Sequence, residues 1–448
     1  MQSLCLIAGL LCAPQAQEPA IDAAVARLVA QVDAARLRTT VEDLVGFTTR
    51  HVASATQAPT AGTGAARSYL EARFRELIEP SGGRLQVARH VYPVTSRRLE
   101  REVEIVNVIA VLPGTSDPER TYVIGGHYDS RNGDPRDGAR AAPGANDDAS
   151  GTAAVLEACR VLCAEPLAAT VVFCCYDGEE MGLLGSTEHA RDLANAEARV
   201  DGMITNDIVG NTMGIDGVRR DGYVRCFSYA RIGADSSGRS LARAARWAAR
   251  HVEGLDVMLV FRGDRYGRGG DHRPFFQNGY PGVRFTEPRE DYSRQHQNLT
   301  ERNGRRYGDL PDYMDFDYLK SVCALDVAIL AELAWAPPPP ASVRVRGARD
   351  AYDVAVAWQA PDIPDEASAA TGALRYELLW RATTAADWEH RRVVEGAADA
   401  QRPGWLAAVL PEVCLDDVVV GVRTLGSNGA RSRAVTPPEP DAFALRPR

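Results

Sequence analysis

Short apolar strands that each run into a histidine or an acidic pair constrain the fold of this chain more than any other feature. Tyr122-Val123-Ile124 leads into Gly125-Gly126-His127-Tyr128-Asp129, and Thr170-Val171-Val172-Phe173 leads toward Asp177-Gly178-Glu179-Glu180. Met203-Ile204-Thr205-Asn206 ends on Asp207, and Asn146-Asp147-Asp148 lies between the first two strands. Helical spacing separates the strands. The alternation predicts an α/β fold, a mostly parallel mixed sheet sandwiched by helices. In open sheets of this kind ligands bind at the carboxyl ends of the strands, so the charged residues share one place in the fold.

The periodicity predicts helices over 21–37, from a start capped by Thr40, and over 62–77, 148–163, 186–194, 236–251 and 318–335. Strands are expected at 85–92, 104–112, 122–127, 170–176, 203–209 and 281–285. At 448 residues the chain exceeds one typical domain. Four prolines, Pro337 to Pro340, stop the closing helix and read as an extended, semi-rigid spacer. Beyond them, alternation such as Val354-Ala355-Val356-Ala357-Trp358 indicates a β-sandwich of about 100 residues. The expected organisation is a leader segment at 1–17, a main domain at 18–336, the proline linker at 337–340, a sandwich at 341–437 and a tail at 438–448.

The leader reading rests on an apolar run from Ser3 to Ala13, too short to span a bilayer and followed by small and polar residues. It lacks the usual positive residues before the run. It points to a secreted or periplasmic protein, and no other segment is a candidate transmembrane span. A net charge of −9 argues against broad attraction to nucleic acid or anionic lipid. The nine cysteines show neither zinc-finger spacing nor a disulfide framework, and Cys174 and Cys175 point to opposite faces of one strand.

Hydrolysing an amide at neutral pH requires a deprotonated water, a polarised carbonyl and a stabilised oxyanion. Two divalent ions roughly 3.5–4 Å apart can share these tasks. His127, Asp147, Glu180, Asp207 and His296 supply three negative charges and two imidazoles, a donor set that suits Zn²⁺ or a similar ion. Glu179 is then free to act as general base.

These motifs resemble the co-catalytic di-zinc exopeptidase family that includes bacterial leucyl aminopeptidases, glutamate carboxypeptidases and glutaminyl cyclases. The resemblance runs from about Leu44 to Trp335. It rests on Phe47-Thr48-Thr49-Arg50-His51, Gly126-His127-Tyr128-Asp129, Gly144 to Gly151, Glu179 to Ser186, and Gly269-Gly270-Asp271-His272-Arg273-Pro274-Phe275. It implies two Zn²⁺ ions bridged by Asp147. His127 and Asp207 complete one site, and Glu180 with His296 the other. Glu179 takes a proton from the attacking water and delivers it to the leaving amine. Asp129 orients the His127 ring, Asp271 with His272 stands behind the ligands or lines the pocket, and Tyr266 is a candidate oxyanion stabiliser or a pocket-wall aromatic. A cis peptide is expected between Asp147 and Asp148. His51 is read as structural. Gln295-His296-Gln297 departs from the family in lacking the acidic residue that often follows this histidine.

Both metal sites look complete, which argues against the single-zinc cyclase branch. The expected function is a zinc-dependent aminopeptidase, cleaving the N-terminal bond of peptide substrates. The alternative is a carboxypeptidase, which must hold a terminal carboxylate; Arg262, Arg265, Arg268 and Arg273 flank the site loop, in a chain already rich in arginine. A further alternative is an inactive binding or adhesion protein on this scaffold. The C-terminal domain resembles a fibronectin type III module through Trp358, Tyr376 to Arg381 and Trp388, but has Asp417-Val418-Val419 where a corner tyrosine is usual. Contact with a protein or surface is one role open to it.

Overall fold

Eight strands form one mixed sheet in the computed structural model, which describes residues 20–230, 235–347, 352–363 and 374–438. The expected leader at 1–17 and residues 439–448 of the tail lie outside the described residues. The strands are β1 (Gln86–Ser96), β2 (Arg101–Leu112), β3 (Asp117–His127), β4 (Ala169–Tyr176), β5 (Arg199–Asn206), β6 (Tyr223–Ser228), β7 (Asp256–Val260) and β8 (Gly282–Thr286). Their spatial order is β1-β2-β4-β3-β5-β8-β6-β7. The central neighbours β4, β3, β5 and β8 are parallel, so their carboxyl ends open on the same side. β1, β2 and β4 pair antiparallel at one edge, and β6 runs antiparallel to β8 at the other. β6 and β7 were not expected from the sequence; Arg225 interrupts the apolar pattern of β6, and β7 is only five residues long.

The helices are α1 (Ala20–Val29), α2 (Ala34–Gly46), α3 (Gly62–Arg75), α4 (Ala149–Leu162), α5 (Leu184–Asn195), α6 (Ser237–Ala248), α7 (His272–Gln277) and α8 (Phe316–Trp335). They cover both faces of the sheet, and every residue of β4 is buried. Tyr122, Ile124, Phe173 and Cys175 belong to the core under α2, α4 and α8. Their neighbours Val123, Val172 and Cys174 belong to the opposite core with Phe275 of α7. The two adjacent cysteines therefore do face opposite ways. One expected helix, 21–37, is two. Asp33 breaks it and caps α2 by accepting from the Ala35 N–H at 2.8 Å, which leaves Thr40 inside α2 rather than at its start.

Close approach of α4 to the sheet explains two glycines of the motifs. A Cβ on Gly126 would lie 2.5 Å from the Gly151 carbonyl carbon, and one on Gly151 would lie 2.3 Å from the Asn206 carbonyl oxygen. The start of α4 is thus pressed against the ends of β3 and β5. Asp148 caps it, accepting from Gly151 N–H at 2.9 Å.

After α8 the chain forms two antiparallel sheets. One contains Ser342–Gly347, Val354–Gln359, Leu406–Leu410 and Ala397–Ala398; the other contains Arg375–Ala382, His390–Val394 and Val418–Leu425. Trp358, Tyr376, Leu378 and Val422 pack between them. Pro337 to Pro340 are buried rather than a free spacer. The Thr424 hydroxyl donates to the Pro338 carbonyl at 2.8 Å, so the linker is part of a packed seam. Asp235 adds a second tie, 2.7 Å from Arg243 of α6 and 3.2 Å from Arg381 of the sandwich. No described helix is long and apolar enough to cross a membrane.

Candidate metal centre

His127 is the last residue of β3 and is fully buried. Its backbone N–H donates to Asp148 Oδ2 at 3.1 Å, and its Nδ1–H donates to the Asp129 carbonyl at 3.1 Å. That partner fixes the tautomer and leaves the Nε2 lone pair free. Nε2 has no hydrogen-bond partner; it lies 3.2 Å from Asp147 Oδ1 and 3.8 Å from Asp207 Oδ1.

Asp147 sits in the turn before α4, and the peptide joining it to Asp148 is cis, as the resemblance implies. The turn is held from below by Asp309, whose carboxylate accepts the backbone N–H of Asn146 and of Asp147, the latter at 2.7 Å. The two oxygens of Asp147 face different imidazoles. Oδ1 faces His127, and Oδ2 lies 3.0 Å from His296 Nε2.

Glu179 and Glu180 follow β4 on a turn that Gly178 enters at φ +74°, a conformation favouring glycine. Asp129 clamps this turn, with one oxygen accepting from Glu179 N–H and the other from Glu180 N–H, both at 3.1 Å. Asp129 therefore serves His127 through its carbonyl and the glutamates through its carboxylate. Glu180 Oε1 lies 2.8 Å from His296 Nε2 and is otherwise unpartnered; Oε2 accepts from Arg131 at 2.9 Å.

Five residues expected as ligands are thus brought together. The ligand atoms of His127, Asp147 and Asp207 lie within 4.8 Å of one another, as do those of Asp147, Glu180 and His296. The two groups share Asp147. Glu179 is no member of either; it lines an open cleft of about 730 Å³ beside them.

The electrostatics indicate a site that demands positive charge. Burial disfavours a charged His127, yet Asp129, Asp147 and Asp207 hold its pKa well above the ordinary value. His296 is pushed up to about 10 against burial by Glu180 and Asp147. Burial would raise Asp147, but His296 and His127 hold it well below the usual carboxylate range. Burial lifts Glu179 well above that range, against His127 and reinforced by Asp207, Asp271 and Glu180. Unpartnered His127 Nε2 and Glu180 Oε1, one in each group, fit a bound cation.

Asp271 is buried within electrostatic reach of Glu179, and burial pushes its carboxyl up to about 7. Tyr266 is placed differently from expectation. It is 90% exposed, packs on Arg262 at 5.8 Å and is not among the cleft-lining residues. It occupies the loop between β7 and α7, and its neighbours Arg265 and Arg268 take the wall instead. His272 donates from Nε2 to the Gly263 carbonyl at 2.7 Å, and His51 Nδ1 accepts from Ala53 N–H at 3.0 Å; neither joins the cluster.

Several supporting residues were not anticipated. Arg131, just after the His127 motif, donates to Glu180 Oε2 at 2.9 Å and its Nη2 lies 2.7 Å from His296 Nδ1. Metal-binding histidines ordinarily donate from that nitrogen to a carboxylate or carbonyl. Here a guanidinium faces that nitrogen instead. Ile208, following Asp207, is β-branched yet has φ +63°, a strained backbone held by Glu287 N–H on its carbonyl at 2.8 Å.

A model of "Peptidase family M28" matches residues 107–311. A probable zinc metalloprotease of Pyrenophora tritici-repentis is 37% identical over 431 residues, spanning 92% of this chain and 96% of its own. The chain belongs to peptidase family M28. A probable zinc metalloprotease of Pyricularia oryzae is 39% identical over 440 residues, covering 93% of this M28 chain and 84% of its own. Among solved structures, the LapA aminopeptidase of Legionella pneumophila shares the fold with a TM-score of 0.54 at 19% identity, over 75% of this chain and 81% of that one. LapB of the same organism gives 0.52 at 21% identity, over 70% and 75%.

In this M28 chain Arg284 is the buried cation that supports the site. It pairs with Asp207 at 2.9 Å and with Asp264 at 2.8 Å, and it is fully buried on β8. A lone arginine inside an apolar strand signals such a partner. Arg284→Met leaves those carboxylates without their shared cation and is expected to lower stability by about 3–5 kcal/mol in urea unfolding. A loss below about 1 kcal/mol contradicts the role.

Proposed function

We propose that the chain is a zinc-dependent exopeptidase that removes the N-terminal residue of peptides, using two zinc ions around Asp147. The observation that carries this reading is the pair of ligand groups sharing Asp147, with Glu179 beside them in an open cleft. His127, Asp147 and Asp207 would hold one ion, and Asp147, Glu180 and His296 the other. When bound, such ions lower the pKa of water and polarise the scissile carbonyl. Glu179 accepts the proton of the attacking water on its carboxylate and returns it to the leaving amine. The Asp129 carboxylate keeps Glu179 at the cleft wall through the backbone clamp, and the Asp129 carbonyl keeps the His127 ring in its tautomer. Membership of family M28 and the zinc metalloprotease relatives support the peptidase and zinc parts. N-terminal cleavage is the activity named for LapA, which shares the fold. For the C-terminal sandwich we propose a fibronectin type III-like module, supported by its four- and three-stranded sheets around Trp358.

C-terminal cleavage is a second reading, favoured by the arginines of the cleft wall. One short peptide, prepared with its N-terminus free or acetylated and its C-terminus free or amidated, separates the two. Chelator-sensitive trimming is expected for the free amine only. Equal trimming of the acetylated peptide contradicts N-terminal cleavage.

A further inference from the structure

We infer that the cleft selects peptides with a carboxylate next to the scissile bond, and that Arg273 reads it. The inference rests on the peptidase reading above and names its substrate class. Five guanidinium groups line the cleft: Arg98, Arg131, Arg265, Arg268 and Arg273. Four have partners in the protein. Arg98 donates to the Glu180 carbonyl, and Arg131 to Glu180 Oε2 at 2.9 Å. Arg265 binds Glu290 at 2.7 Å, and Arg268 donates to Gln295 Oε1 at 2.7 Å.

Arg273 is different. It is exposed and its guanidinium has no hydrogen bond or ion pair among the described residues, and its Nη1 lies against Gly269, 3.7 Å from where a Cβ would stand. Its backbone is held by α7, where the neighbouring Pro274 and Phe275 are buried. A fixed base with an unpaired guanidinium at a cleft wall is suited to a planar, bidentate carboxylate.

The rest of the wall points the same way. Apart from glycines, the apolar lining is Leu183 and Ile208, too little to enclose a large apolar side chain. The lining carboxylates are Asp147, Glu179, Glu180 and Asp207. With Glu290 beside Arg265 and Arg268, five carboxylates balance the five guanidiniums, so two bound dications would leave the cleft positive. An acidic side chain and a terminal carboxylate present the same anion, and both fit this wall.

The test uses the full zinc-loaded chain. Glutamyl-, glutaminyl- and leucyl-p-nitroanilide probe the side-chain source. N-acetyl-Ala-Ala against its C-terminal amide probes the terminal source. In at least one arm, kcat/KM for the carboxylate substrate is expected to exceed its neutral counterpart by about tenfold or more. That ratio should shrink as salt rises to about 0.5 M, since a partly exposed pair is screened. Arg273→Gln should bring the ratio toward one, and Arg273→Lys should keep part of it. Reading a ratio removes any general loss of folded enzyme. Ratios near one in both arms of the wild type overturn the inference and leave the peptidase reading standing, as does a wild-type preference that Arg273→Gln leaves intact. Hydrolysis of none of these substrates, with zinc bound, overturns both.

Discussion

Glu179→Gln is expected to lower kcat by about 10²–10⁴-fold while zinc content stays unchanged. The size follows from what is removed. Glutamine keeps the shape and can still hydrogen-bond, but it cannot accept a proton. The backbone clamp by Asp129 uses the Glu179 and Glu180 N–H groups, so the substitution leaves the turn in place. Glu179 itself belongs to neither ligand group. Activity within about threefold of wild type, with metal still bound, would remove Glu179 as general base.

A larger loss is expected from Asp147→Ala. Each ligand group depends on one oxygen of this carboxylate, so its removal leaves two residues in each. Two ligands from the protein do not retain zinc well, because structural and catalytic sites use three or four. Zinc content should fall from about two per chain toward zero, with hydrolysis reduced on the order of 10³-fold or more. The polypeptide should still fold. Asp309 holds the turn through the backbone N–H groups of Asn146 and Asp147, which alanine preserves. A variant that keeps both ions and most of its activity shows that Asp147 is not the shared ligand.

Much of this centre was legible because β-strand geometry carries it. Three parallel neighbours end together, so His127, the Glu179–Glu180 turn and Asp207 had to meet once their strands were recognised. His296 was legible as a candidate imidazole, but its place in the second site came only through the family resemblance, since it lies at φ +54° in a loop outside any strand. Asp309 could not be read. It is 162 residues from its partner Asp147, and nothing near it in sequence marks it as a support. Arg284 carried a signal that went unused, a charge inside a buried strand. Tyr266 shows the opposite failure. Its proximity in sequence to Asp271 suggested a site residue, but loop direction is set by packing, and here the ring turns to Arg262 and solvent. The boundary at Asp33 and the buried proline seam have the same origin. A cap or linker is decided by which partner the folded chain brings close, Ala35 N–H in one case and Thr424 in the other.

The most direct test of the central claim is a zinc titration of the chelated chain, followed by hydrolysis of a short peptide with a free N-terminus. Activity should be absent without metal and should reach its plateau at about two equivalents of zinc per chain. A plateau at one equivalent contradicts the shared role of Asp147, and full hydrolysis by the metal-free chain contradicts the zinc-dependent mechanism itself.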